Sequence, residues 1–419
     1  MNILIIDDGS GVFDISASVS SANEKNFLRL AKESFSTSVL LAKAFSKQGD
    51  NVLLIRAALS EKGSGEVFEY REEDGIPNLF IRVAKTKNRR KLRIRELLEF
   101  SVLLYENAPG IAGLFKPDAI IAGSFLPFSV LAAAKMARLG NSALITELWC
   151  FPEKLLPKLK IFLPFGFRNC LIKIFISAAF KKSDRVLGFF PKAFSVYSEK
   201  KNLSGFVCPS PEEPCSHSEK ANQLFESLSA LAEDGIFTVS YCGDIESNRS
   251  LDSLIAAVSG FDRKVELFII GDGEYKSVLK KAVQGGGIKN VTFCDGVPES
   301  DVPFVLSASK AVFYSENSAV SGLCSESREI FRVLLSGRPV IAVSKNNSEF
   351  LRKSGGAVLV TLEEREGIAL AVATLRSMAE SDRIILGSHG REFALLHSEK
   401  AFTESYRKLI DELIKQKEI

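Results

Sequence analysis

The sequence predicts an α/β protein made of two doubly wound parallel-sheet domains, and three observations carry that prediction. Apolar residues come in short β-rich runs, such as "NILIID" and "KVELFII", separated by helical stretches. The runs are apolar at consecutive rather than alternate positions, as strands covered on both faces require, and the intervening helices make the crossovers. The alternation occurs in two series, broken between Pro191 and Asp234 by "VCPSPEEPCSHSEK", a stretch rich in proline, serine and charge. A chain of 419 residues accommodates two such domains at roughly 100–200 residues each.

In the first series "NILIID" reads as a strand, a helix ends near "LAKAFSKQGD", and "NVLLIR" is the next strand. "PDAIIAG", a helix in "SVLAAAKMARLG" and the strand "SALITEL" follow. The second series offers "GIFTVSYCG", "KVELFIIGDG", "NVTFCDG", "KAVFYS", "RPVIAV" and "GAVLVT" as compact strands. The expected boundaries are a first domain over 1–205, a linker over 206–235, a second domain over 236–385, and C-terminal helices over 386–419 that pack back on the body. Ligands of such sheets bind beyond the carboxyl ends of the strands, so the site is expected in a cleft between two facing domains.

Composition narrows the function. Lys and Arg number 54 against 51 Asp and Glu, and a net charge of +3 argues neither for nor against a polyanionic partner. The seven cysteines show no CxxC spacing and suit reduced thiols in a cytosol. With three histidines, His217, His389 and His397, and no paired His motif, neither a metal hydrolase nor a metal site is expected. "MNILIIDDGSG" has no basic n-region and reads as a first strand rather than a signal peptide. The longest uncharged run, Ala119 to Ala134, is shorter than the roughly 20 residues that span a bilayer. A cytoplasmic protein, peripheral on the membrane at most, is the expectation.

Two segments combine cations with apolar residues. "KTKNRRKLRIR", Lys85 to Arg95, carries seven basic residues and no acidic one, and Lys154 to Lys182 again carries seven, interleaved with Leu, Ile and Phe. The second can lie on an anionic membrane surface with its apolar side down. No nucleic-acid reading motif accompanies these runs, and no such partner is expected.

The stretch from Tyr241, "YCGDIESNRSLDSLIAAV", resembles the first strand, glycine turn and helix of the donor domain of family 4 glycosyltransferases, which have the GT-B architecture of two Rossmann-like domains. The resemblance places Gly243 in the turn and Arg249 where the family's basic residue meets the donor diphosphate; a planar guanidinium makes two charge-assisted bonds to phosphate oxygens. Asp244 replaces a second basic residue often found there. "VELFIIGDGEYKSVLKKAV" continues the likeness and makes Gly271, Asp272 and Gly273 donor-side candidates.

"SREIFRVLLSGRPVI" resembles a family pattern close to "PSKLFEYLASGKPVI", but its charges are exchanged: Glu329 takes the lysine position and Arg332 the position of a glutamate that accepts from ribose hydroxyls. An earlier family glutamate falls on Cys324, for which Glu326 or Glu329 can substitute, and Glu329 and Arg332, three apart on a helix, can pair. In the first domain "TELWCFPEKLL" resembles the "DLWPE" motif of relatives acting on lipid-linked sugars, which makes Glu147 and Glu153 catalytic candidates; the alternative is a strand end with an incidental tryptophan. Many relatives place a histidine in this domain, and none precedes His217 here. The resemblance implies a retaining, metal-independent glycosyltransferase that takes a nucleotide-sugar donor and acts on a lipid-linked or surface-polysaccharide acceptor. A catalytically silent relative that binds a nucleotide sugar or a partner, and a sugar-nucleotide epimerase, are the alternatives.

Overall fold

The consecutive apolar residues of "NILIID" form β1 (Asn2–Asp7), buried from Ile3 onward. In the computed structural model, the described residues are 1–7, 37–60, 66–84, 94–124, 128–149, 174, 177–178, 181–189, 203–205, 209–210, 214–247, 249–262, 264–316, 327–344, 348–360 and 365–418. They fall into two compact units, one within Met1–Cys208 and Phe402–Ile419, the other within Pro209–Ser321 and Glu326–Ala401.

Unit 1 is built on an eight-stranded sheet. Its strands after β1 are β2 (Asn51–Ser60), β3 (Phe68–Glu73), β4 (Ile76–Ala84), β5 (Ala119–Ser124), β6 (Ala143–Leu148), β7 (Arg185–Gly188) and β8 (Leu203–Gly205), in the order β3-β4-β2-β1-β5-β6-β7-β8. All neighbours are parallel except the β3–β4 hairpin. Helix α1 (residues 37–47) links β1 to β2, while α2 (Ile94–Phe115) and α3 (Phe128–Gly140) flank β5. The hairpin was not expected from the sequence, yet its signal is there: Asp74 and Gly75 turn at φ 54° and 74°, the left-handed pair a two-residue hairpin needs.

Unit 2 contains the six expected strands, β9 (Phe237–Cys242), β10 (Val265–Ile270), β11 (Val291–Cys294), β12 (Ala311–Ser315), β13 (Val340–Val343) and β14 (Ala357–Val360). They are parallel and ordered β11-β10-β9-β12-β13-β14. The order reverses direction between β9 and β12, and that switch point is where an open α/β sheet leaves a crevice at its carboxyl edge. A core of Val239, Leu254, Leu267, Ile269, Phe313 and Ile341 fills one face of this sheet.

Inside the stretch expected as a linker, residues 219–233 form helix α4 (Glu219–Glu233). Ser218 caps it by accepting from Ala221 N–H, and Ala221 and Leu228 pack on Phe268 and Ile270. Further helices are α5 (Leu251–Val258), α6 (Lys276–Gly285), α7 (Val302–Ser307), α8 (Ser327–Leu335), α9 (Ser348–Ser354), α10 (Arg365–Ser377), α11 (Glu380–Leu396) and α12 (Glu399–Glu418). From Phe402 on, α12 belongs to unit 1, where Arg407 pairs with Asp50 and Lys417 with Asp184. No helix among the described residues is long and apolar enough to cross a membrane.

Candidate functional site

The carboxyl edge of the unit 2 sheet gathers most of the predicted site residues. β9 runs into a glycine turn whose backbone is tied to the neighbouring turn: Gly243 N–H donates to Ile270 O at 3.0 Å and Ile245 N–H to Asp272 O at 2.9 Å. The approach leaves no room for side chains. A Cβ on Gly271 would lie 1.9 Å from the Gly243 carbonyl oxygen, and one on Gly273 2.2 Å from that of Ile245. Two of the three predicted donor-side glycines therefore have a packing reason to be glycine. Asp272 is exposed, and Lys276 beside it, helped by Gly296 N–H, holds its carboxyl below the usual range. Lys276, which no sequence motif singled out, bonds Gly271 O, Asp272 Oδ1, Cys294 O and Asp295 Oδ1 at 2.8–3.1 Å.

Arg249 follows this turn and precedes Ser250, a residue in the left-handed region at φ 52°. The bend sends the guanidinium inward, where it is 1% exposed. Nη1 donates to the Ser315 carbonyl oxygen at 2.8 Å, so Arg249 connects the ends of β9 and β12 at the switch point. Its outer edge faces Glu329, with Nη1–Oε1 at 2.8 Å and Nη2–Oε2 at 3.1 Å. This is a two-pronged guanidinium–carboxylate pair, the strongest geometry such a pair adopts.

Glu329 stands in the first turn of α8, a helix formed because Ile330, Phe331, Val333 and Leu334 are buried on one side. Gly337 ends it at φ 66°, and Pro339 cannot extend it. Arg332 lies on the same face as Glu329, but the two do not pair with each other. Arg332 Nη2 donates to Glu299 Oε2 at 2.5 Å, while Glu329 turns to Arg249. A fully buried guanidinium outcompetes a partly exposed i,i+3 neighbour for a carboxylate, since leaving it unmatched costs more. Burial pushes the nearby Cys242 thiol up to about 12, with Arg332 opposing it.

Glu147 belongs to unit 1. It stands one residue before the end of β6, in register with Gly123 of β5 and, beyond that, Asp7 of β1. Its side chain is buried; Oε2 accepts from Trp149 Nε1 at 3.1 Å and Oε1 from the Tyr406 hydroxyl of α12. Burial raises its carboxyl to about 7, against the two hydrogen bonds and with a smaller push from Asp7. Trp149 stacks on Phe189 at 4.2 Å, so this part of the motif is knitted into the unit 1 core. Glu153 and Glu326 lie outside the described residues, as does most of Lys154–Lys182 and of Lys85–Arg95. Among the described residues no three His, Cys, Asp or Glu side chains converge to hold a metal ion.

Along its length the protein is similar to solved two-domain enzymes. Anabaena HepE, solved with UDP and glucose, shares 14% identity at a TM-score of 0.61, covering 98% of this chain and 99% of its own. The sucrose-phosphate synthase of Thermosynechococcus elongatus shares 15% at a TM-score of 0.62, covering 99% of each chain. The chain has the GT-B glycosyltransferase fold. WaaG, a glycosyltransferase involved in lipopolysaccharide biosynthesis, shares the GT-B fold at 11% identity and a TM-score of 0.60, over 97% of this chain and 99% of its own. Residues 236–378, running from β9 through α10, match the family described as Glycosyl transferases group 1. No curated protein matches the sequence. The GT-B resemblance read from the sequence therefore holds, and Arg249, Glu329 and Arg332 all lie in the matched segment.

Proposed function

We propose that the chain is a retaining glycosyltransferase that moves a sugar from a nucleoside-diphosphate donor to a lipid-linked or polysaccharide acceptor in cell-surface glycan synthesis. The observation that supports it is Arg249, a buried guanidinium bonded across the β9/β12 switch point of a domain matching group 1 glycosyltransferases. Sugar transfer builds positive charge on the ring and negative charge on the departing diphosphate. A pre-positioned cation and backbone N–H groups at a helix start stabilise that leaving group without a metal. Arg249 supplies the cation, the opening of α8 the N–H groups, and the leaving phosphate takes the acceptor proton.

Gly243, Gly271, Asp272 and Gly273 shape the donor side of this site, Glu326 and Arg332 contribute around the ribose and phosphates, and Glu329 borders them through its pair with Arg249. Glu147 holds α12 against the unit 1 sheet, while Glu153 remains a candidate on the acceptor side. HepE in complex with UDP and glucose supports a UDP-sugar donor, and the involvement of WaaG in lipopolysaccharide biosynthesis supports a surface-glycan acceptor. The basic apolar stretch Lys154–Lys182 docks the protein on the anionic cytoplasmic face of the membrane where such acceptors reside.

A second reading is a catalytically silent GT-B protein that binds a nucleotide sugar or a partner. It is favoured by the carboxylate already seated on Arg249 and by Arg332 standing in a glutamate position. A panel of nucleotide sugars scored by thermal stabilisation, then by donor consumption with and without a membrane extract, separates the readings. A transferase consumes donor only with acceptor, a silent binder is stabilised without turnover, and an epimerase converts donor alone.

A further inference from the structure

We propose that Glu329 is an internal stand-in for the donor phosphate, seated on Arg249 until a nucleoside diphosphate displaces it. The inference rests on the assignment of Arg249 to the donor site. Its first support is shape: the two Glu329 oxygens take two guanidinium nitrogens at 2.8 and 3.1 Å, the same fork a phosphate offers. Its second is layering. The Arg249 side chain keeps 2% of its exposure and that of Glu329 keeps 22%, so the carboxylate is the outer member and the one that can leave toward solvent.

The third support is that the guanidinium is anchored independently. Nη1 also donates to the Ser315 carbonyl at the end of β12, a contact that remains when Glu329 swings away, so the cation keeps its place at the switch point. A buried guanidinium without an anion is costly, and Glu329 meets that need while the site is empty. The displaced carboxylate has a destination: Arg332 lies one turn along the same helix face, at the i,i+3 spacing from which it can receive a carboxylate once it exchanges Glu299, its present and largely exposed partner, for Glu329. The exchanged charges of the helix thus form a two-position switch. Donor binding moves Glu329 from Arg249 toward Arg332, and the competition lowers the affinity of the empty site for diphosphates by the fraction of time Arg249 is covered.

The test is calorimetric titration of UDP into the full chain and into Glu329→Gln, which keeps the side-chain length and removes the charge. The variant should bind UDP about tenfold more tightly or better, a gain set by the occupancy of the covering carboxylate. Equal or weaker binding by a variant with an unchanged melting temperature overturns the proposal. Should Glu329→Gln fail to fold, Glu329→Asp, too short to reach both nitrogens, should show a smaller gain, and no gain overturns it equally. UDP binding by the wild type with no gain in either variant refutes the stand-in alone. Absence of UDP binding in every form refutes the donor-site assignment as well.

Discussion

Glu147 offers a prediction whose size follows from its surroundings. Its carboxyl lies within the unit 1 core, against Trp149, Tyr406 and, across Gly123, Asp7. Burial raises its folded value from 4.5 to about 7. A folded value above the unfolded one means that the folded protein holds the proton more tightly. The contribution to stability is therefore complete below pH 4.5, declines as the pH rises, and is lost above about 7. A gap of this size is worth about 3 kcal/mol at 1.36 kcal/mol per pH unit. Glu147→Gln keeps an acceptor for Trp149 and a partner for Tyr406 but has no charge to bury. At pH 5 the variant should melt within a few degrees of wild type. At pH 8 it should gain up to about 3 kcal/mol, or roughly 6–12 °C for a domain of this size. The quantity to follow is the difference between the two melting curves across pH 5 to 8, since every other titrating group cancels in it. A difference that stays constant over that range would refute the account of Glu147 as a buried acid that holds its proton in the fold up to about pH 7.

Other substitutions test the donor side. Arg249→Ala should lower donor turnover by a factor of about 100 or more, the usual consequence of removing a group that stabilises leaving-group charge, measured as nucleotide release with acceptor present. Gly271→Ala must push a Cβ against the Gly243 carbonyl and should destabilise unit 2 by about 2–4 kcal/mol, read by chemical denaturation, whereas an undisturbed midpoint would mean the two turns are not locked together. Arg332→Glu breaks the contact with Glu299 and places a second acid beside Glu329; UDP-sugar turnover should fall, and restored or increased turnover would mark Arg332 as a drifted ribose contact.

How much of this was legible in the sequence differs by element. The six strands of unit 2 were readable because each is a short, mostly apolar run, four of them ended by glycine or an acidic residue, a pattern fixed by burial on both sheet faces. Helix α4 was hidden by the prolines and charges of "VCPSPEEPCSHSEK" just before it, although Ser218 followed by the Ala221 and Leu228 stripe was a usable start signal. Arg249 could be singled out because the stretch from Tyr241 resembles a family donor-domain turn, but its pairing with Glu329 could not. The partners are 80 residues apart, and only folding brings the start of α8 to the end of β9. The local alternative, Glu329 with Arg332, was permitted by helix spacing and lost to a buried partner. The glycines of "GDG" were visible as turn formers, whereas the reason two of them admit no side chain lies in a neighbouring strand's loop.

The most direct measurement is hydrogen exchange of the full chain with and without saturating UDP. Slowed exchange concentrated in the turn 243–250, the end of β12 and the first turn of α8 is the predicted result, because these segments surround Arg249. Protection confined to unit 1, or no protection under conditions where UDP demonstrably binds, would contradict the placement of the donor diphosphate at the β9/β12 edge.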